Sequence, residues 1–490
     1  MYRFRKTEYL LDERYDELNN QEIYFAPPEE LKDPMEGAKD IFWHGDEVLW
    51  RNFIKHYLIC LEHVTNMWSV VGEDKEINKD FIPVFKSSVE FSSVKHKERF
   101  IKIQDYFFSN KIIKNMPVFL AEQNKKIRYN ELLKYLKVIH KFAFDAINFV
   151  DSNYGYIERI SIFKNILNQD SMIKLIESGF DREEEINEDF IFEDEIEMMF
   201  RSLNNINSNV ELLSTCGDEG EGVFNNKTFI MIQFPEAYLS KMEELIYPKW
   251  YAACFMRECT SLSSWGTYGD NHKGVCLKFK TEVNKTGKIE NQDNINNEGK
   301  NAGENDESKS INLTGVMGSG SNSIIGSENF KLSKVKYDDV LHEIDFFKSL
   351  GRLSYPEFNK QWYANEEGEI SSTIYEMTFD EEWLNTYRED FHKSITSKSR
   401  GYCNECEYRI ILDEMFNDYS SAEDRTLKYD FDDLEGIIFG IKTSSLDKAK
   451  IINIIREKCR ESGRENFDFY EAEYCHESGR IEPVKLDIVI

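Results

Sequence analysis

The sequence has no apolar run long enough to cross a membrane. No stretch approaches the roughly 20 consecutive apolar residues that a spanning helix requires, so we expect no membrane partner. The first residues, Met1-Tyr-Arg-Phe-Arg, lead directly into charged sequence and lack the apolar region of a signal peptide. Nine cysteines, an odd number with irregular spacing, are typical of reduced thiols. Together these absences predict a soluble, cytoplasmic protein.

Basic residues are also in short supply. The 490-residue chain carries 61 Lys and Arg against 90 Asp and Glu, which gives a formal net charge of -29. Extended, sequence-independent binding of nucleic acid depends on Lys and Arg that neutralise phosphates. The charge therefore argues against that class of partner, although it leaves room for a local basic pocket. An acidic surface of this kind aids solubility.

Several catalytic motifs are missing. The sequence contains no G-x4-G-K-[ST], G-x-S-x-G or H-E-x-x-H pattern, which argues against a P-loop nucleotide hydrolase, an α/β-hydrolase and a zinc protease. One C-x2-C pair, Cys403 and Cys406, has no matched second pair, and Cys254 and Cys259 are spaced differently. Structural zinc sites use four ligands. We therefore expect no metal, with structural zinc as the alternative.

The residues that are present predict an α+β fold. Hydrophobic residues make up 41% of the chain and aromatic residues 14%, which indicates a substantial core. Period-2 and period-3.6 patterns predict a mixed β-sheet core built from both ends of the chain, with a large helical insertion. The expected segments are the first part of the core (1–40), the helical insertion (41–235), core strands (236–280), a disordered low-complexity insertion (281–334) and the remainder of the core (335–490).

The insertion at 281–334 is predicted from its composition. It is rich in Asn, Gly, Ser, Lys and Glu, and no aromatic residue stands between Phe279 and Phe330. Such a segment buries too little apolar surface to offset chain entropy. Further on, Ser444 followed by Asp447 is typical of a helix start.

The stretch from Trp265 to Phe279 is the first candidate site. Its alternation predicts a strand from Val275, and the glycines before it allow a turn and close backbone approach. Asn271 and His272 would then stand at the mouth of the strand, where ligands commonly bind. In the alternative interpretation the two side chains cap the turn.

A second candidate site is Glu405-x-Glu407-x-Arg409. In a strand these three side chains share one face, and the two carboxylates lie about 7 Å apart. Such a pair suits divided roles, in which one carboxylate stabilises positive charge or takes a proton and the other orients the nucleophile. In the alternative, Arg409 only pairs with Glu407 on a solvated face. Ser263 and Ser264 are a third candidate, at the edge of the same cleft, unless they are ordinary turn residues.

These residues resemble a bacterial family of domains of unknown function. The resemblance rests on Trp265-x2-Tyr268-x2-Asn271-His272-x-Gly274-Val275-x3-Phe279. Further landmarks stand in the family's order, namely Tyr2-Arg3-Phe4-Arg5, Ile23-Tyr24-Phe25, Lys32-Asp33-Pro34-Met35-Glu36, Glu405-x-Glu407-x-Arg409 and Gly436-Ile-Ile-Phe-Gly440. The resemblance covers about half of the chain. Lys32 stands where the family usually has Asn, and Tyr402 where it often has Trp.

A second resemblance is to the ADP-ribosyltransferase scaffold. It rests on the order Arg3, then Ser263 or Ser264 beside Trp265, then Glu405-x-Glu407. The resemblance implies NAD as co-substrate. Arg3 would hold the pyrophosphate, an aromatic ring would stack on nicotinamide, and Glu407 would stabilise an oxocarbenium-like state. Tyr268, Asn271, His272 and Arg409 complete the expected binding residues.

Three functions follow from these interpretations. The first is an NAD-consuming enzyme that transfers ADP-ribose to a macromolecule or hydrolyses NAD, as a bacterial toxin or an anti-phage defence effector. Its helical segment, 41–235, would sense a signal or bind a protein target. The second is a non-catalytic module that binds a nucleotide or a protein. The third is a metal-dependent nuclease that uses Glu405, Glu407 and His272.

Overall fold

The structure, a computed structural model, describes residues 1–86, 91, 93–154, 226–284, 308–317, 324–377 and 379–488. Contacts divide the chain into two units. Unit 1 comprises Met1–Ala38, Lys249–Leu341 and His392–Ile490, and unit 2 comprises Lys39–Pro248 and His342–Phe391.

The strands range from two-residue pairings to a ten-residue strand. In chain order they are β1 (Tyr2–Arg5), β2 (Glu22–Tyr24), β3 (Asp40–Trp43), β4 (Ile127–Arg128), β5 (Trp250–Met256), β6 (Val275–Phe279), β7 (Glu282–Asn284), β8 (Ser308–Met317), β9 (Ile324–Lys331), β10 (Ser333–Lys334), β11 (Lys336–Tyr337), β12 (Glu343–Asp345), β13 (Ser397–Lys398), β14 (Glu407–Asp413), β15 (Thr426–Tyr429), β16 (Leu434–Phe439), β17 (Asp468–Cys475) and β18 (Arg480–Leu486).

The longest helices belong to unit 2. The α-helices are α1 (Thr7–Leu11), α2 (Glu17–Asn20), α3 (Glu47–Val71), α4 (Val94–Ser109), α5 (Lys111–Glu122), α6 (Tyr129–Asn153), α7 (Asn226–Thr228), α8 (Phe234–Met242), α9 (Leu262–Thr267), α10 (Tyr355–Phe358), α11 (Glu381–Ile395) and α12 (Ser445–Ser462). Short 3-10 turns include Pro28–Glu30 and Arg400–Glu405.

Unit 1 is built on a mixed eight-stranded sheet with the order β10-β14-β5-β1-β6-β16-β17-β18. β16 and β17 pair in parallel and are connected through α12, whereas the other neighbours in this sheet are antiparallel. Ser444 caps α12 by accepting a hydrogen bond from the backbone N–H of Asp447, as the sequence predicts. The expected α+β fold with a mixed sheet is confirmed.

The alternation of β6 explains why both faces of this sheet are buried. Val275, Leu277 and Phe279 lie in the larger apolar core on one face. Cys276 lies in a smaller cluster on the other face with Phe4. A strand with two covered faces reads as a nearly continuous apolar run, and the sequence of β6 fits that pattern except at one lysine.

A second sheet corrects the expected disorder at 281–334. β2, β15, β8 and β7 pair in that order and β9 pairs with β8, so the described part of the segment forms strands. Ile311 and Leu313 are spaced two apart, so they share one face and join the core of unit 1 beside Leu427. Composition alone misses this because spacing, rather than abundance, decides burial. Residues 285–307 and 318–323 lie outside the described residues.

Unit 2 combines α3–α6 and α8 with a small sheet of order β12-β3-β4. Residues 342–391 belong to this unit, whereas the sequence pattern predicts that they form part of the sheet core. Aromatic contacts explain the difference. The ring of Phe347 lies 5.4 Å from that of Trp50, and Phe346 and Trp362 surround Phe53. Residues 155–225 of the expected helical insertion lie outside the described residues.

Candidate functional site

A cavity of about 230 Å³ opens in unit 1 where β1 and β5 separate. β1 pairs with β6 from Tyr2 to Arg5, but with β5 only at Tyr2, which stands opposite Met256. Ala26 then bridges to Ala252 further along β5. Residues from β1, β5, α9, β13 and β14 line the space between. The cavity is therefore made by a short interruption of pairing in the middle of the sheet.

Three of the predicted site residues line this cavity, namely Arg3, Tyr268 and Glu407. Thr267 and Lys398 line it too. The first strand of the chain meets later strands here, because β1 pairs with β5 on one side and β6 on the other, and β14 pairs with the far side of β5.

Arg3 is a buried cation whose side chain reaches across the gap. It is 6% exposed, and its Nη2 and Nη1 donate to the carbonyl oxygens of Tyr24 at 3.0 Å and Cys254 at 3.4 Å. Its guanidinium carbon lies 5.5 Å from the ring centroid of Phe255. Burial, together with the charge of Arg5, lowers the pKa of Arg3 to about 10. Among the described residues Arg3 forms no ion pair.

The cavity lining holds more basic than acidic side chains, although the chain as a whole is acidic. Arg5, Lys6 and Lys32 all contribute to the lining. Arg5 is neutralised by Glu17, which accepts from its Nε at 2.8 Å. The ammonium group of Lys6 lies 5.9 Å from the ring centroid of Tyr9. Lys32 is exposed, so Lys6 and Lys32 place positive charge in the lining, which also contains Glu30.

The floor of the cavity is a buried ionic cluster around Glu407. Arg409 donates from Nε to Oε1 of Glu407 at 2.7 Å and from Nη2 to Oε2 at 3.3 Å. Its Nη1 also donates to Glu36 at 2.5 Å. Lys398 donates to Oε2 of Glu407 at 3.1 Å, and the backbone N–H of Glu407 donates to the hydroxyl of Tyr337 at 2.8 Å. Both oxygens of Glu407 therefore already have cationic partners.

Glu405 is connected to this floor through two neighbours. Tyr268 donates its hydroxyl hydrogen to Oε1 of Glu405 at 2.8 Å. Lys398 donates to Oε2 at 2.8 Å, so one ammonium group bridges Glu405 and Glu407. Glu405 is thus a positioning residue, since it fixes the two side chains that line the cavity.

The pKa values of the cluster follow from burial and charge. Burial alone would raise the pKa of Glu407, but the charges of Arg409 and Lys398 and their hydrogen bonds lower it to about 2. Burial raises the pKa of Glu36 despite its pairing with Arg409. The carboxylate of Glu407 is therefore ionised throughout the physiological range.

The structure corrects the expected placement of Glu405 on a strand. β14 begins at Glu407, and Glu405 ends the 3-10 turn Arg400–Glu405. Cys406 adopts a left-handed conformation, with φ of 46°, and this interrupts the alternation. Glu407 and Arg409 do share a face of β14, which is buried rather than solvated. The two carboxylates therefore stay close in sequence, but the 3-10 turn, and not a strand, orients Glu405.

Ser263 and Ser264 do not line the cavity. Ser263 is exposed and exchanges a hydrogen bond with Ser261 at 2.9 Å. Ser261 in turn caps α9 by accepting from the N–H of Ser264 at 3.2 Å. The hydroxyl of Ser264 is buried and has no hydrogen-bond partner among the described residues. This pair behaves as the turn residues of the alternative interpretation.

Trp265 is a core residue. It is fully buried, its ring meets that of Phe4 edge-on at 4.9 Å, and its Nε1 donates to the carbonyl oxygen of Cys259 at 2.8 Å. A ring packed in this way has no free face for nicotinamide. Tyr268 is the aromatic residue of the same motif that lines the cavity.

Asn271 and His272 belong to a left-handed turn outside the cavity. Asp270, Asn271 and His272 have φ values of 49°, 51° and 68°. Backbone hydrogen bonds hold this turn, from Asn271 N to Gly266 O at 3.1 Å and from His272 N to Trp265 O at 3.2 Å. Three successive non-glycine residues in this conformation are rare. The motif therefore fixes the connection from α9 to β6.

Two glycines, Gly274 of this motif and Gly440 of the later Gly436–Gly440 landmark, are required by close backbone approach. A Cβ on Gly274 would lie 2.4 Å from the carbonyl oxygen of Arg5, and a Cβ on Gly440 would lie 2.3 Å from that of His272. The N–H of Gly440 donates to the carbonyl of Gly274 at 3.0 Å. The conspicuous glycines are thus explained by packing.

Sequence reasoning missed Lys398 and Glu36 as site residues. Glu36 stands in the Lys32-Asp33-Pro34-Met35-Glu36 landmark, so a signal was available for it. Lys398 sits in a short polar stretch without any motif. Only the observed contacts identify it as the bridge between Glu405 and Glu407.

The described residues contain neither a membrane-spanning helix nor a metal-binding cluster. No described helix has both the length and the apolar character needed to cross a bilayer. In the same residues, no group of three or more His, Cys, Asp or Glu side chains is arranged to hold a metal ion.

Comparison with known proteins identifies one family. Residues 264–410 match the model of a family described as "Protein of unknown function (DUF2971)". This region contains the motif from Trp265 to Phe279 and also Glu405, Glu407 and Arg409. Searches of curated proteins and of solved structures found no match. The chain therefore contains a region similar to this family, and the family's description states no reaction.

Proposed function

We propose that unit 1 binds a phosphate-bearing nucleotide in the cavity between β1 and β5 and consumes NAD there. The observation that carries the proposal is Arg3. A buried guanidinium is costly unless an anion compensates it, yet Arg3 forms no ion pair among the described residues. Glu17, whose charge acts on Arg3, is itself bound to Arg5, so a phosphate group in the cavity would supply a direct anionic partner, and guanidinium binds phosphate in a two-point geometry.

The size and charge of the cavity suit one half of a dinucleotide. Its volume, about 230 Å³, lies below the roughly 300–1,000 Å³ typical of pockets for drug-sized ligands. Lys6 and Lys32 extend the positive charge of Arg3 along the rim. The ribose and base next to the phosphate would then approach Tyr268 and Glu407, while the other half of the molecule stays outside.

Glu407 would stabilise the developing cation. When the bond between ribose and nicotinamide breaks, its electron pair leaves with nicotinamide and positive charge develops on the ribose. An ionised carboxylate at the cavity floor favours that state, and the lowered pKa of Glu407 keeps it ionised. Glu36 and Glu405 complete a cluster of three carboxyl groups around two cationic groups, Lys398 and Arg409.

Some of the binding roles expected from the ADP-ribosyltransferase resemblance would fall to other residues. Thr267 and Tyr268, which line the cavity, take the place expected for Ser263, Ser264 and Trp265. Transfer of ADP-ribose to a macromolecule, and a protein target bound through unit 2, remain predictions. So does a role as a toxin or anti-phage effector.

Nicotinamide release from NAD by the purified chain tests the proposal. Glu407→Asp keeps the buried charge, but its side chain is one methylene shorter, so the carboxylate lies further from the reacting bond. We therefore expect kcat to fall about 100-fold. Arg3→Lys keeps the positive charge but replaces the planar guanidinium group with an ammonium group, and we expect KM to rise. Ser263→Ala is the matched control, because this residue is exposed and outside the cavity, and it should behave as wild type. Nicotinamide release that is equal in wild type and Glu407→Asp would contradict a role for Glu407.

One observation favours a second function, a non-catalytic nucleotide-binding module. Both oxygens of Glu407 are already held by Arg409 and Lys398, which offsets much of its charge. In that case ADP-ribose would raise the melting temperature of the wild type, the rise would persist in Glu407→Asp, and no nicotinamide would be released. His272 would not contribute, since it lies outside the cavity.

A further inference from the structure

Two exposed thiols flank Glu405. Cys403 and Cys406 are both free and exposed, and they stand on the 3-10 turn that leads into β14. Other cysteines of unit 1 differ. Burial raises the pKa of Cys254 and Cys276 well above the usual range, which disfavours their thiolate forms. The reactive sulfur chemistry of this region is therefore expected at the exposed pair.

The turn holds these two cysteines close together. The backbone N–H of Cys406 donates to the carbonyl oxygen of Cys403 at 3.3 Å, and the sulfur of Cys406 lies 3.7 Å from the same oxygen. A hydrogen bond between residues three apart implies a turn whose end Cα atoms are within about 7 Å. Disulfides usually span about 4.4–6.8 Å between Cα atoms. A bond between the two sulfurs thus requires only a local adjustment of the turn.

That adjustment would act on the cavity through Glu405. Glu405 stands between the two cysteines, and its oxygens accept from Tyr268 and Lys398, both at 2.8 Å. Cys406 has a positive φ of 46°, a conformation that non-glycine residues adopt at a cost. A new covalent constraint across this turn would move the backbone of Glu405, and with it the two side chains that Glu405 positions.

We propose that Cys403 and Cys406 form a reversible intrachain disulfide that controls the position of Glu405 and so the shape of the cavity. Glutathione disulfide is a sufficient oxidant. One cysteine thiolate attacks it, releasing one glutathione, and the second cysteine displaces the other. One protein disulfide forms, two thiol protons are given up, and two electrons reduce one glutathione disulfide to two glutathione molecules.

Peptide mapping after equilibration in glutathione buffers tests the bond itself. With increasing glutathione disulfide, we expect the peptide containing both cysteines to lose two hydrogens, and reduced glutathione to restore them. Cys403→Ser and Cys406→Ser should each abolish this change, whereas Cys475→Ser should leave it intact. Only mixed disulfides with glutathione at these positions, with no intrachain bond at any buffer ratio, would overturn the proposal.

Hydrogen exchange tests the effect on the cavity without relying on NAD chemistry. On oxidation we expect amides around Tyr268 and Lys398 to exchange several-fold faster in the wild type and to be unchanged in the Cys403→Ser variant. A disulfide that forms without altering exchange at either segment would refute the control of the cavity. The effect on nicotinamide release rests on the proposed function, and its absence in an inactive protein would bear on that function alone.

Discussion

Arg409 and Glu407 form a buried two-point ion pair, with Nε 2.7 Å from Oε1 and Nη2 3.3 Å from Oε2. Arg409 has no exposed surface and Glu407 is 2% exposed. The residues stand two apart on one face of β14, and Glu36 reaches the third guanidinium position from another part of the chain. Through Glu36, Arg409 thus connects β14 to the turn that follows the 3-10 segment Pro28–Glu30.

This pair predicts a non-additive double mutant. Arg409→Met leaves Glu407 and Glu36 without their shared cation, and we expect the free energy of unfolding to fall by about 3–5 kcal/mol. Arg409→Met combined with Glu407→Gln removes one of these two carboxylate charges as well, so the double variant should be more stable than the sum of the single effects predicts. Urea unfolding of the four proteins measures this. Strict additivity would show that the two residues are not coupled.

The lowered pKa of Glu407 predicts how stability depends on acid. The pKa is about 4.5 in the unfolded chain and about 2 in the folded protein. A depressed folded pKa means that the unfolded chain binds the proton first, so the contribution is fully present above pH 4.5 and is lost as pH falls towards 2. Urea unfolding between pH 6 and pH 3 should show a shallower loss of stability for Glu407→Gln than for wild type. Parallel curves would contradict the assignment.

Tyr268→Phe is predicted to loosen Glu405 while keeping the ring. The variant removes one hydrogen bond to a carboxylate, and we expect a loss of about 1.5–3 kcal/mol in the free energy of unfolding. Tyr470→Phe is the matched control, because its hydroxyl donates to Asp468 at a longer 3.2 Å on a partly exposed site, and its loss should be smaller. Equal losses would indicate that the hydrogen bond from Tyr268 to Glu405 is no stronger than the one from Tyr470 to Asp468.

Gly274→Ala and Gly266→Ala are predicted to have opposite effects. A Cβ on Gly274 would meet the carbonyl oxygen of Arg5 at 2.4 Å, so backbone has to move, and we expect a loss of about 1–3 kcal/mol. A Cβ on Gly266 meets nothing within 4 Å, and the change should be neutral or stabilising by up to about 1 kcal/mol. Thermal unfolding compares them. A neutral Gly274→Ala would remove the packing explanation of this glycine.

Much of the sheet core was predictable because its strands carry local patterns. The alternation in β1 and the apolar run in β6 predict their elements directly, and Ser444 with Asp447 predicts the start of α12. The assignment of 342–391 to the sheet core was wrong, because Phe346, Phe347 and Trp362 pack against residues of unit 2 that are distant in sequence. The disorder expected at 281–334 was also wrong for its described strands, since a few well-spaced apolar residues suffice to join a core.

The candidate site was predictable in part. Arg3, Tyr268 and Glu407 meet at one cavity, and each is found from a motif. Asn271 and His272 were misplaced because polar residues in an unusual turn resemble a ligand site in sequence. Lys398 carries no local signal.

By itself, the sequence determined strands such as β1 and β6 and the shared face of Glu407 and Arg409, because each depends on residues within a few positions of one another. Only the tertiary structure decided which charges meet. The insertion of β1 between β5 and β6 opens the gap that Arg3 spans, and it brings this buried cation, which has no ion pair among the described residues, to the cavity that Glu407 and Lys398 also line. Electrostatic partners are selected by distance in space, which local sequence patterns do not encode.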